Sequence, residues 1–156
     1  MTDLKKYFFT CIYAFLVVTL QISTFSFFTD LSPNFILVNI AVSSALFDLG
    51  LNLVFISFIV LMIRAGTYDS QFLWYLPLIA VIFKFIYIKE LKDPLLLCIF
   101  YTTVLTVGVT LFNTDTLPFF ELLYKSLPIN VLLAVIVYFI MKKLILRKSS
   151  YAVKLR

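Results

Sequence analysis

The residues able to do chemistry in this chain are few, and they stand apart from one another. There is no histidine among its 156 residues. That removes imidazole acid–base catalysis, a Ser-His-Asp triad and the commonest ligand for zinc or haem. The two cysteines, Cys11 and Cys98, both lie in apolar stretches, where a thiol serves as a small hydrophobe rather than as half of a disulfide or metal site. The eight acids are scattered over the polar breaks, so no convergent pair of carboxylates offers general acid–base work. The expectation is a non-enzymatic protein, with no catalytic residue, no metal and no cofactor.

The remaining chemistry is non-covalent. Lys84 is the one charge well inside an apolar stretch, and charge at that depth is unfavourable unless paired or wetted. Asp48 falls near the same membrane face and is its candidate partner in an intramembrane ion pair. The alternative is that the four-carbon stem of Lys84 carries its ammonium to the interface unaided. Gln21, Asn39 and Asn130 lie in or at the ends of apolar stretches. Amides in lipid face other helices and bond across them, so these three are candidate helix–helix contacts. The hydroxyls of Ser43, Ser44, Thr102, Thr103 and Thr106 can bond across helices or back to their own.

Arg64 falls on the opposite side from Lys84, near Asp30, Asp69, Asp115 and Glu121. It is a candidate for a partly solvated salt bridge or for binding a partner's carboxylate. Phe119, Phe120 and Tyr124 gather with Trp74 and Tyr75 near the same interface, as an aromatic belt does. The run 119–124 also reads as a short amphipathic segment offering an apolar face to a partner.

These residues must be positioned by helices in a membrane. Apolar residues make up 63% of the chain and charged residues 13%, and the mean hydropathy is +1.07. A soluble domain of this size cannot hide that much apolar surface. The reading is one all-α integral membrane domain over residues 1–156, with a short basic cytoplasmic tail at 145–156. The net charge of +5 is not a nucleic-acid footprint, because the basic residues sit at span ends, facing anionic headgroups. The start has the charge order of a signal peptide, but its apolar run is too long and no Ala-x-Ala site follows, so an uncleaved first span is expected.

Apolar stretches occupy 7–28, 35–63, 72–88, 94–112 and 127–144, with a polar and aromatic connector at 113–126. The second is interrupted only by Asp48-Leu49-Gly50-Leu51-Asn52. The charges decide whether it crosses once or twice. With about six transmembrane helices and both termini cytoplasmic, the inner side holds Lys5, Lys6, Lys89, Lys92, Lys142, Lys143, Arg147, Lys148, Lys154 and Arg156. Arg64 and Lys125 are then outside, as the positive-inside rule prefers. This predicts two short helices, 35–48 and 51–64, joined by a tight turn and tolerated through neighbours or local thinning.

The order of features carries a resemblance. A basic start leads into a span with Leu20-Gln21, then a turn ending in Pro33. Two short helices broken by a polar turn come next, and the chain closes with Leu127-Pro128-Ile129-Asn130-Val131-Leu132-Leu133-Ala134 and a basic tail. Over nearly its whole length this resembles the MreD family of bacterial rod shape-determining membrane proteins, as a divergent member. That family's third helix is typically glycine-rich and ends in aspartate, whereas here Ser57 to Ile63 holds no glycine and Arg64 follows.

The resemblance implies a non-catalytic, multi-pass scaffold of the bacterial inner membrane. It would control cell shape by binding an MreC-like bitopic protein and linking MreB filaments to periplasmic peptidoglycan synthesis. A RodA-type glycosyltransferase and a class B penicillin-binding protein would be further partners, alongside membrane lipids. The family fold is also similar to the six-helix substrate-binding S subunits of energy-coupling-factor vitamin transporters, which makes a small-molecule binder the rival expectation.

Overall fold

Asp48 divides the longest apolar run of the chain. Its carboxylate accepts the Leu51 N–H at 2.8 Å and its carbonyl accepts the Asn52 N–H at 3.0 Å, the pattern of a helix N-cap. The residue before it, Phe47, is extended (φ −87°, ψ 154°) and closes the preceding helix through its N–H to the Ser43 carbonyl at 2.8 Å. The helices therefore run α2 Phe35–Leu46 and α3 Leu49–Ala65, following α1 Asp3–Phe25. The break falls two residues earlier than the predicted turn because Asp48 starts the second helix instead of ending the first.

The computed structural model describes residues 3–25, 34–65, 78–79, 81–82, 93–112 and 119–148. Two further helices complete the traced elements, α4 Pro94–Phe112 and α5 Phe119–Lys148. Residues 78–79 and 81–82 are also helical, and no strand occurs among the described residues. The expected span at 72–88 otherwise lies outside them. The start of α4 reads directly from sequence. Asp93 accepts the Leu95 N–H at 2.9 Å, and Pro94 occupies the first helical position, where its missing N–H has no partner to lose.

One expectation is corrected. The stretch 113–126 is not all connector: α5 begins at Phe119 and runs unbroken for 30 residues, so 119–124 forms the first turns of the last helix rather than a separate surface segment. Pro128 sits inside this helix yet does not end it. A proline forfeits one backbone hydrogen bond and crowds the carbonyl four residues back, and here its ring is exposed. In the first helix, too, the structure starts earlier than the apolar run, at Asp3 rather than Tyr7.

α2 is the centre of the molecule. Leu37 through Ser44 are all buried, the signature of a helix with protein on every side. Its contacts extend to α1, α3, α4 and α5, while α3 lies chiefly along α1 and α4 along α5. One apolar cluster joins Val17 and Val18 of α1, Ile40 of α2, Phe55, Ile56 and Ile59 of α3, and Leu105 of α4. A second joins Val38 and Val42 of α2 to Cys98 of α4 and to Ala134, Tyr138 and Met141 of α5.

Pairings along the helices fix their directions. Tyr7 and Tyr13 of α1 meet the positions of Gly50 and Phe55 of α3, so those two helices run parallel. Gln21 meets Ile36 while Tyr13 meets Asn39, so α1 and α2 are antiparallel. Asn130 meets Asn34, and the later residues of both helices share the second cluster, so α2 and α5 are parallel. Thr106 meets Asn130 and Cys98 meets Ala134, so α4 opposes α5. The starts of α1, α3 and α4 and the ends of α2 and α5 therefore lie together at one end of the bundle.

The outer surface is apolar. Phe8, Ile12, Phe15 and Leu16 on α1, Leu61 on α3, Leu96 and Leu111 on α4, and Leu132, Ile136 and Phe139 on α5 are all exposed. Meanwhile Thr10, Asn39, Ser43, Ser44, Asn52, Thr102, Thr106, Thr110 and Asn130 are buried. A water-soluble bundle arranges these the other way round. By length and composition, Leu4–Ser23, Pro94–Leu111 and Leu123–Lys143 are each long and apolar enough to cross a membrane, and Phe35–Leu46 and Leu49–Ile63 are shorter apolar helices.

Candidate functional site: the polar seam around the central helix

A helix leaves its first N–H groups without intrahelical partners. For α2, whose surroundings are other helices rather than water, those groups need acceptors supplied by the protein. Asn34 is the N-cap, its side-chain oxygen accepting the Leu37 N–H at 2.9 Å. Gln21 of α1 reaches across to accept the Ile36 N–H at 3.4 Å. Asn130 of α5 accepts the Asn34 N–H at 3.0 Å, and its amide nitrogen donates to the Thr106 hydroxyl of α4 at 3.3 Å. Amides of two helices and a hydroxyl of a third thus hold the start of α2 in place.

Halfway along α2, the Tyr13 hydroxyl donates to Asn39 Oδ1, and Asn39 Nδ2 donates to the Phe35 carbonyl at 2.7 Å. The Tyr13 ring stacks on Phe55 of α3, with centroids 5.5 Å apart. One side chain of α1 therefore touches both α2 and α3.

The other end of α2 holds a third group. The Ser43 hydroxyl lies 2.8 Å from Asn52 Oδ1 and 3.0 Å from the Ile40 carbonyl, two acceptors for its single proton. Asn52 Nδ2 donates to the Ser44 hydroxyl at 3.1 Å. Asn52 is 0% exposed, so its amide ties the first turn of α3 onto the last turn of α2. Among the described residues, every buried side-chain nitrogen and oxygen has a hydrogen-bond partner.

Gln21, Asn39 and Asn130 each bond across to a neighbouring helix, and all three converge on the first half of α2. Thr102, Thr103 and Thr110 bond back to their own helix, to the carbonyls of Cys98, Ile99 and Thr106 at 2.8–2.9 Å. Both cysteines are free, and the Cys98 thiol points at the Ala134 carbonyl at 3.9 Å.

Asp48 is exposed and caps α3, while Lys84 lies outside the described residues. Arg64 falls in the last turn of α3 and Phe119 at the first residue of α5; the side chains of both also lie outside them. Phe120 and Tyr124 project from the start of α5, 80% and 83% exposed, beside an ion pair between Glu121 and Lys125 at 2.8 Å.

Sequence reasoning missed Asn34, Asn52 and Tyr13 as members of the seam. Asn52 carried a usable signal. Once Asp48 is taken as the cap, Asn52 lies one turn inside an apolar helix, where an amide must find a partner on another helix.

Together these features define a protein whose described residues are helical, three of those helices being long and apolar enough to cross a membrane, held by a polar seam around one short central helix. No family model, curated protein or solved structure matches the chain.

Proposed function

We propose that this protein is a non-catalytic scaffold of the bacterial inner membrane, acting in the cell-wall elongation complex that determines cell shape. The observation that carries the reading is the closed polar seam. The amides and hydroxyls around α2 are engaged with one another and with backbone groups, which makes a rigid platform. Such a platform suits holding a bitopic partner in fixed geometry better than it suits enclosing a polar ligand.

The helix directions support six crossings. The end of α3 and the start of α4 lie at opposite ends of the bundle, the arrangement that six crossings require. The start of α1 and the end of α5 share one end of the bundle, and under the positive-inside rule the lysines there favour the cytoplasmic side. In this reading the protein binds an MreC-like bitopic partner and links MreB filaments to periplasmic peptidoglycan synthesis. A RodA-type glycosyltransferase and a class B penicillin-binding protein complete the assembly.

The test is affinity purification of the tagged protein from native membranes in mild detergent, read by mass spectrometry. A bitopic coiled-coil protein recovered with wall-synthesis enzymes supports the scaffold. Recovery of paired ATPases with a larger membrane coupler instead makes the chain a transporter's substrate-binding subunit and overturns it.

A further inference from the structure

We propose that the end of the bundle where α1 begins and α5 ends binds an anionic phospholipid, with Lys142 and Lys143 on the phosphate and Phe139 and Ile140 along the acyl chain below it. The proposal rests on the membrane reading but not on the identity of any protein partner. Lys142 and Lys143 are both exposed. The Lys142 ammonium lies 5.4 Å from the centroid of the Tyr138 ring, within range of a cation–π contact. Tyr138 is itself only 1% exposed, so a ring fixed in the core holds this cation against the helix.

The spacing puts a chain-binding wall directly beneath the charges. Residues three and four apart share a helix face, so Phe139 neighbours both lysines and Ile140 neighbours Lys143. Phe139 and Ile140 are 54% and 53% exposed, and Ile136 continues the same face one turn further in. A phosphate held by the lysines therefore has apolar surface next to it at the depth an acyl chain occupies.

The surrounding charges favour an anion. Lys5 and Lys6, both exposed, begin α1 at this same end. Three acids of the described residues lie at this end as well: Asp3 begins α1, while Asp48 and Asp93 accept backbone N–H groups at the starts of α3 and α4. Free phosphate would meet the same lysines but leave Phe139 and Ile140 unused, which is why a lipid is the occupant.

The experiment titrates the full-length protein in mild detergent with phosphatidylglycerol, phosphatidylcholine or inorganic phosphate, following lipid adducts by native mass spectrometry and thermal unfolding in parallel. Phosphatidylglycerol is expected to bind and stabilise, the other two not. Each surface lysine contributes roughly fivefold in affinity for an anionic membrane surface. Lys143→Gln alone should therefore weaken the adduct roughly fivefold, and Lys142→Gln with Lys143→Gln at least tenfold.

Lys125→Gln, at the opposite end of α5, should leave it unchanged. Should the double variant fail to fold, the single Lys143→Gln and Phe139→Asn variants carry the test, since both positions are exposed. Equal binding of the two lipids, full stabilisation by inorganic phosphate alone, or undiminished binding by Lys143→Gln overturns the proposal. Its failure leaves the partner assay of the scaffold reading untouched, so the two are separable.

Discussion

Asn130 and Asn34 stand side by side, 96 residues apart in sequence, with the Asn130 side-chain oxygen accepting the Asn34 backbone N–H at 3.0 Å. The contact joins α5 to the start of the buried helix α2, and Asn130 also donates to Thr106, so one amide bridges three helices. Asn130→Leu keeps the branched shape but leaves the half-buried Asn34 N–H and the buried Thr106 hydroxyl without this partner. Leaving such groups without partners costs about 1–3 kcal/mol. The expected result is a loss of about 2 kcal/mol in reversible unfolding in mixed micelles, whereas Asn130→Gln should recover part of it.

The contact between Ser43 and Asn52 allows a sharper measurement, because both side chains are buried and sit on adjacent helices. Interhelical hydrogen bonds inside membranes are worth about 0.6 kcal/mol on average and up to about 1.7. A double-mutant cycle of Ser43→Ala and Asn52→Ala should return a coupling energy in that range. The Asn52→Ala single variant should cost more than Ser43→Ala, because Ser44 loses its contact too. A coupling energy of zero would show that the seam packs without bonding.

Gly108 offers a prediction in the opposite direction. It lies in the interior of α4, and a Cβ built there meets nothing within 4 Å. Glycine in a helix interior is about 0.8–1 kcal/mol less favourable than alanine. Gly108→Ala should therefore raise stability by about 0.5–1 kcal/mol, read as a higher unfolding midpoint in the same micelles. A loss of stability would mean that the open space beside Gly108 is filled in the membrane by another helix.

What the sequence revealed depended on whether the signal was local. The start of α4 is read at Pro94, where Asp93 caps an N–H two residues on; the start of α3 is read two residues late, although Asp48 carries the same local signal three residues from its target N–H. The amides Gln21, Asn39 and Asn130 were conspicuous because an amide in an apolar run has to bond to something. Their common target was not visible, since it depends on α2 sitting between α1, α4 and α5, a fact of packing at long sequence separation. The start of α5 was misjudged for a local reason. Pro118 together with Glu121, Lys125 and Ser126 made 113–126 read as a polar and aromatic connector. The helical pairing of Glu121 with Lys125 and the exposed position of Pro128 are consistent with a continuous helix there.

Asp48 separates two accounts of the same carboxylate. As an intramembrane ion pair with Lys84, its charge is essential, and Asp48→Asn should be as damaging as Asp48→Ala. As the N-cap of α3, which its 2.8 Å bond from the Leu51 N–H describes, its acceptor oxygen matters most. Asparagine caps nearly as well as aspartate, whereas replacement by alanine costs about 0.5–2 kcal/mol. The negative charge adds a favourable contribution near a helix N-terminus, about 0.3–1 kcal/mol when exposed and at low salt. The expected order of stability is wild type, then Asp48→Asn, then Asp48→Ala, with the asparagine variant losing less than half of what the alanine variant loses. The same unfolding assay decides it, and raising the salt should shrink the gap between wild type and Asp48→Asn while leaving the gap between Asp48→Asn and Asp48→Ala in place.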